Sequence, residues 1–549
     1  MAEGSRSFPD DTHPRGWIRL LIPSVGDLIF IVLLALLTLT PLSVRLLGDA
    51  GIGWHIRAGQ EILATHAIPQ VDSFSSSMSG KPWFAWEWLY DLVVGGLERV
   101  TGLNGVVLIT ALMIAAVFGW TFRLLVRRST NLFVAVVLVM LAASASMIHF
   151  LARPHVVSWL LTLAWFQVLD SSERNAFRAA RPISGQIRTG PWLWFLPLSM
   201  LLWVNLHGGF LVAFVLLGIY WLGAIWPGFT AASNKLEDIL EKRRAGKRAR
   251  DFAWVTVLAA MATFVNPHGF RLHAHIYRYL SNRFLMDHID EFQSPNFHGV
   301  AQKCFAILLL MTLLTAAAKT RKLTMIEGLV VLFAVYSGLY ASRNIPVASL
   351  LLVLVVGPLL SAAMKRSVER SHTPWSVRRV GTGLAAFSGR MGEIESRLRG
   401  HLWAVVAFGI IFAVVANGGR IRSSQLMNAH FDSRRFPVAA VMFLEQSGER
   451  EPVLGPDYWG GYLIYRIYPR MLVAVDDRHD LYGEEFLKSY LKLVNVEPGW
   501  EDLLTKYNIR RVLLPTGSAP ANILAETAEW KIMYQDEVGV IFVRSSARF

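Results

Sequence analysis

Along the chain, long apolar segments alternate with polar intervals. The apolar ones fall near 25–47, 103–124, 131–150, 155–170, 192–207, 209–226, 252–267, 304–318, 323–340, 345–363 and 401–418. A helix needs about 20 apolar residues to cross a bilayer. The pattern therefore predicts a polytopic α-helical membrane protein with about eleven transmembrane helices. After 418 the pattern changes. PVLGPDYWGGYLIYRIY, RMLVAVDDRHDLYG, EEFLKSYLKLV and the runs up to KIMYQDEVGVIFVR alternate β-rich and helical stretches. That predicts a small α/β domain. The chain divides into an N-terminus at 1–24, a transmembrane domain at 25–418 and an α/β domain at 419–549.

The longest polar interval in the first third runs from Leu47 to Thr101 and corresponds to a first outer loop, 48–102. It carries Asp49, His55, Arg57, Asp72, Lys81, Glu87 and Asp91 among Trp54, Trp83, Trp86 and Trp88. Trp54, Ile56, Ile62 and Leu63 recur at roughly helical spacing, as do Trp86, Leu89, Leu92, Val93 and Leu97. Each piece predicts an amphipathic helix lying along a membrane surface. Pro69, the Ser75–Ser77 run and Gly80-Lys81-Pro82 force loop between them. The tryptophans suit an interfacial aromatic belt as well as a site.

Composition sharpens the class. The chain is 53% hydrophobic, with a net charge of +14. The basic residues sit in alternate loops: 123–130, 171–191, 227–251, 319–322 and 364–400. This is the positive-inside pattern of a membrane protein and argues against nucleic acid as a partner. It places those loops and the N-terminus in the cytoplasm. The 48–102 loop and everything after 418 then fall outside. The first span is expected to be uncleaved. A single cysteine, Cys304, permits no disulfide framework.

A distinct set of residues gathers at the predicted outer helix ends: Arg153-Pro154-His155, Asn205 and His207, Asn266 and His268, the 271–298 segment, and Arg343-Asn344. Singly, each suits a helix stop or cap. Collected on one face, they point to a polar cavity open to that face. His273, His275 and His288 read more readily as an interfacial segment than as metal ligands. Asp476-Asp477-Arg478-His479-Asp480 reads as a solvated loop ahead of a ligand site. Tyr458-Trp459-Gly460-Gly461-Tyr462 suits either a sugar-stacking surface or a tight turn. No phosphate-binding glycine loop, nucleophile elbow or CxxC is present.

An acid just past span one, then W-H-x-R-x-G (Trp54, His55, Arg57, Gly59), P-x-x-D-x-F-S (Pro69, Asp72, Phe74, Ser75), G-K-P-W (Gly80 to Trp83) and E-W-L (Glu87 to Leu89) resembles the bacterial branch of the C-type polytopic membrane glycosyltransferases. These are relatives of protein mannosyltransferases and lipopolysaccharide sugar transferases. The resemblance covers most of the chain and indicates a superfamily rather than a sugar. It implies inverting transfer of a hexose or pentose from a polyprenyl-phosphate donor to an extracytoplasmic glycan, lipid or protein, at the bacterial inner membrane.

Carried onto this chain, the family's base is Asp49, with Asp72 and Glu87 in reserve. An acceptor hydroxyl must lose its proton as the anomeric carbon is attacked, and the departing phosphate needs cations or a metal. His55, Arg57, Lys81, Arg153, His155, Asn205, His207, Asn266, His268, Arg343 and Asn344 are the candidates to bind sugar or phosphate. Arg153 equally suits snorkelling to lipid headgroups; for Arg343 phosphate contact stands ahead, because Ser342-Arg343-Asn344 is not a typical anchor. A divalent cation, Mg or Mn, is a possible cofactor. Relatives often carry a second acid just before the W-H pair, where this chain reads Ala50-Gly51-Ile52-Gly53. That departure leaves room for a non-catalytic scaffold. A lipid-linked sugar transporter is a further alternative, against which stands the one-sided clustering of polar residues.

Overall fold

The computed structural model describes residues 18–178, 190–230, 236–318, 322–369, 375–398 and 401–545. Most of the N-terminal stretch and loop residues Arg181, Arg188, Lys235, Lys319 and Arg321 lie outside them. Every apolar segment read from the sequence falls on a helix. Among the described residues six helices are long and apolar enough to cross a membrane: Arg19–Leu39, Leu103–Arg127, Leu132–His149, Gly208–Pro227, Val300–Ala317 and Ser342–Val368. Pro191–Leu206, Met325–Tyr340 and His401–Ala416 are apolar but shorter. The segments at 155–170 and 252–267 belong to the longer helices His155–Arg178 and Leu236–Ala262.

The chain forms two compact units. The first comprises 1–36, 111–149 and 295–413. Here Leu132–Ser146, Val300–Ala317, Met325–Tyr340 and Ile345–Glu369 pack together. Gly338 lets a helix approach the Phe305 ring, which a Cβ would strike. Thr324 and Glu327 close a reciprocal cap on the Met325 helix. Asp27 pairs with Arg123 and with His401. Glu395 accepts the free amides of Val25 and Gly26, 2.8 and 3.2 Å away, at the start of the first span.

The second unit comprises 37–110, 150–294 and 414–549. Its centre is helix α1 (Gly51–Thr65), started by the Asp49 carboxylate accepting the Gly51 amide at 2.8 Å. Ile52, His55, Ile56 and Ala58 are fully buried. Neither polar-interval helix is a simple surface helix, because α1 packs against both α2 (Trp88–Thr101) and α3 (Asp457–Ile467). Glycines make both crossings possible. A Cβ on Gly59 would hit the Asp91 carbonyl, and one on Gly53 the Gly461 carbonyl.

In the C-terminal segment a short hairpin, β1 (Arg420–Ile421) and β2 (Ser424–Gln425), precedes the α3 region. Beyond it β3 (Arg511–Pro515), β4 (Trp530–Gln535) and β5 (Gly539–Arg544) form an antiparallel sheet in the order β3-β5-β4. Single parallel bridges extend it: Leu454 to Val512, Val453 to Val473, and Val473 to Ser75. The last joins the early polar interval to the C-terminal sheet through Ser76 N–H to the Val473 carbonyl (2.8 Å). Met78 and Leu285 contribute to the same core as Val475, Tyr482 and Phe542. The C-terminal segment thus shares both its core and its sheet with residues near 75.

Candidate functional site

The start of α1, the irregular turn before His155 and the loop after Val475 converge on one arginine. Arg153 Nε lies 3.3 Å from Asp49 Oδ2, and its Nη2 lies 3.1 Å from Asp477 Oδ2. The Trp54 indole N–H donates to Asp477 Oδ1 at 2.9 Å. The side chains are part-exposed, 21% for Arg153, 28% for Asp49 and 13% for Asp477, so a ligand can reach them. Burial pushes the Asp477 carboxyl up and the Asp49 charge adds to this; Arg153 opposes both, leaving it at about 6. Burial lowers the Arg153 guanidinium, but the Asp49 and Asp477 charges outweigh it and hold the proton firmly.

Gly51 explains the sequence departure in physical terms. A Cβ there would fall on the Arg153 guanidinium and 2.5 Å from Asp477 Oδ2. The space of a side chain at 51 is filled by an arginine and a carboxylate delivered from distant segments. Sequence reading placed Asp477 in a solvated loop; instead Asp476 and Arg478 are buried. The signal available was two acids after an apolar strand, and nothing in the sequence says that this strand pairs beside residue 75.

Beneath this cluster lies a buried one. His55 Nδ1 is 2.5 Å from Asp91 Oδ1, both side chains 1% exposed. Burial drives His55 down and, together with the Glu87 charge, drives Asp91 up. Both shifts favour the uncharged forms, and His55 Nε2 lies 3.9 Å from Glu87 Oε2. On the other side of Glu87, His207 Nδ1 accepts the Gly209 amide at 3.0 Å, which puts the His207 proton on Nε2, 3.7 Å from Glu87 Oε1. Ser158 Oγ, 2.7 Å from His207 Nδ1, accepts the Trp203 indole N–H and fixes that ring. Glu87 thus lies near two imidazole rings.

The remaining candidates are placed as follows. Asp72 is fully buried 2.8 Å from Arg478 and accepts the Phe74 and Ser75 amides. Arg57 is turned onto the Tyr465 carbonyl and ring. Lys81 is exposed beside the Gly80 turn. Asn205 accepts the Trp88 indole N–H at 2.7 Å. Asn266 shapes its own turn through Thr263 and Gly269 and accepts the His268 amide. His155 sits against Trp159, and His268 against Phe84. His275 is 2.9 Å from Asp480 and stacks on Phe84, while His273 meets the Thr263 hydroxyl. Trp459 and Tyr462 are core residues of α3. Trp54 and Trp83 are buried too, so neither is part of a membrane belt. Arg343 and Asn344 belong to the other unit, where Asn344 donates to the Ser337 carbonyl.

Among the described residues no group of three or more His, Cys, Asp or Glu could hold a metal ion. The two carboxylates that converge, Asp49 and Asp477, do so on a guanidinium already lodged between them. Arg153 occupies the position between these carboxylates that a Mg or Mn ion would take.

No family model and no curated protein matches the sequence. Solved structures do. The Archaeoglobus fulgidus oligosaccharyltransferase tethered with an acceptor peptide superposes with a TM-score of 0.52 at 11% identity, covering 97% of this chain and 74% of that one. Its apo form gives 0.51 at 11%, covering 97% and 75%. ArnT from Cupriavidus metallidurans bound to undecaprenyl phosphate gives 0.45 at 14%, covering 95% and 97%. This chain is a multi-pass membrane protein with the fold of the C-type polytopic membrane glycosyltransferases.

Proposed function

We propose that the protein transfers a sugar from a polyprenyl-phosphate donor to an extracytoplasmic acceptor, with inversion, at a site built on Asp49, Arg153 and Asp477. The observation that carries this is the part-exposed guanidinium held between two carboxylates at the start of α1. Asp49 takes the proton of the acceptor hydroxyl as its oxygen bonds to the anomeric carbon. The bond from that carbon to the phosphate oxygen breaks, and the lipid phosphate leaves with its negative charge. Arg153 N–H groups stabilise that charge, for which guanidinium geometry is well suited. Asp477 and the Trp54 indole hold the guanidinium in place. Glu87, near the His55–Asp91 pair and His207, is a candidate to contact the sugar. The alternation of arginine-rich loops supports an orientation with this site, the 48–102 region and the segment after 418 outside the bacterial inner membrane.

The experiment is transfer by purified protein from a labelled lipid-linked sugar in the presence of a cell-envelope extract, read as release of free polyprenyl phosphate. Asp49→Asn should abolish it, and Arg153→Ala should lower it by about 10²–10³-fold. Full activity in both would overturn the assignment, and full activity in Asp49→Asn, Asp72→Asn and Glu87→Gln alike would move the base elsewhere.

A further inference from the structure

Away from the Arg153 cluster, the second unit contains a cavity of about 820 Å³. One wall is residues 38–48, which follow the apolar helix Val25–Leu39; the other is 425–435, which follows the apolar helix His401–Ala416. Both walls are thus chain that has just left a hydrophobic helix, at the level where a bilayer gives way to headgroups. Leu39, Leu42 and Leu426 supply apolar surface, and Leu39 and Leu426 are 40% and 42% exposed. Three arginines, Arg45, Arg434 and Arg435, face the same space against one carboxylate, Asp432. Asp432 is committed to Arg434, 3.3 Å away. Among the described residues Arg45 and Arg435 form no ion pair, and Arg435 Nη1 lies 3.4 Å from where a Cβ on Gly48 would stand.

We propose that this cavity binds the phosphate headgroup of an anionic glycerophospholipid, with its first chain methylenes along Leu39 and Leu426. The chemistry follows from the walls. Two arginines without acidic partners attract a phosphodiester and can grip it bidentately. The apolar mouth excludes a freely soluble anion as the preferred occupant. The volume is that of an ordinary ligand site, and basic pockets beside membrane helices recognise anionic headgroups. The proposal does not rest on glycosyl transfer: none of Asp49, Arg153 or Asp477 lines the cavity.

The test uses the purified full chain in mild detergent and measures binding of phosphatidylglycerol by native mass spectrometry. Phosphatidylcholine, a short polyprenyl phosphate and inorganic phosphate serve as comparison probes. Phosphatidylglycerol should bind best, and the double variant Arg45→Ala/Arg435→Ala should bind it about thirtyfold more weakly. Because both arginines are exposed, that variant should keep its elution profile and melting temperature. Leu426→Asp, which spoils only the apolar wall, should weaken the lipid as well, while Arg153→Ala should leave it unchanged. Unchanged phosphatidylglycerol binding in the double variant overturns the proposal. So does tighter binding of polyprenyl phosphate, or displacement of the lipid by inorganic phosphate.

Discussion

Among the described residues Arg478 and Arg153 each sit between a pair of aspartates, in different surroundings. Arg478 bridges Asp72 and Asp476, with all three side chains no more than 1% exposed. Each carboxylate there is saturated: Asp72 by the Phe74 and Ser75 amides and the Ser75 hydroxyl, Asp476 by the Arg478 amide and the Tyr482 hydroxyl. Phe74 and Trp83 cover the guanidinium at 5.2 and 4.6 Å. Arg153 bridges Asp49 and Asp477 with similar chemistry, but its partners accept only the Gly51 amide and the Trp54 indole besides. One cluster is closed and ties the early polar interval to the C-terminal segment. The other keeps acceptor capacity and solvent access, which a site needs. Composition alone does not separate structural from functional ion pairs; the number of competing donors and the exposure do.

The contrast can be broken most severely at the closed cluster. Arg478→Met leaves the buried Asp72 and Asp476 carboxylates without their counter-charge and should destabilise the protein by about 3–5 kcal/mol, read as loss of folded protein or a large drop in melting temperature; Asp72→Asn, which leaves Arg478 paired with Asp476, should cost less. Burial would raise the Asp476 carboxyl, but Arg478 outweighs it and holds it below its ordinary value. Its share of stability is present above the unfolded carboxylate pKa and is lost as pH falls through the lower folded value. Acid unfolding should therefore be shallower in Asp476→Asn.

At the open cluster the losses should appear in rate. Arg153→Ala should lower transfer by about 10²–10³-fold with little change in melting temperature, and Arg153→Lys should recover part of it. An equal fall in stability would make Arg153 a second structural arginine.

A finer effect concerns Asp477. Its folded carboxyl, at about 6, lies above the ordinary 3.8. The stability it contributes is present below 3.8 and lost as pH rises through about 6. Ionised Asp477 is also the form that holds Arg153, so transfer should rise with pH through the same range. Asp477→Asn should remove both dependences, which pH profiles of activity and melting would show.

Gly51→Ala should cost about 1–3 kcal/mol through overpacking and reduce transfer by displacing Arg153. The smallest effects belong to the candidates that sit apart. Arg57→Ala should cost about 1–2 kcal/mol for the lost bonds to the Tyr465 carbonyl, and Lys81→Ala less than about 0.5 kcal/mol, both without a specific loss of transfer.

The membrane architecture was legible because it depends on local composition: each apolar run became a helix, whatever it packed against. Asp49, His55, Glu87 and Arg153 stand out in the sequence as polar residues in or beside the first polar interval and at an outer helix end, and the structure brings Asp49 to Arg153 and His55 near Glu87. Sequence could not assign their partners. The distinction between Asp49 and Asp72 depends on Arg478, more than 400 positions from Asp72 and in a stretch that reads as a solvated loop. Gly51 looked like a missing acid because only the three-dimensional arrangement shows Asp477 beside it. The amphipathic reading of α1 went astray because its polar face meets buried Asp91 and the α3 backbone rather than water.

The pairing of Ser76 with Val473 spans 397 positions of the chain. During synthesis the ribosome finishes every hydrophobic helix before the strand that completes this edge emerges. Asp477 emerges just behind that strand, so the charged trio cannot assemble until then. A product cut short before Val473 would already contain the apolar helices yet lack both this edge and Asp477.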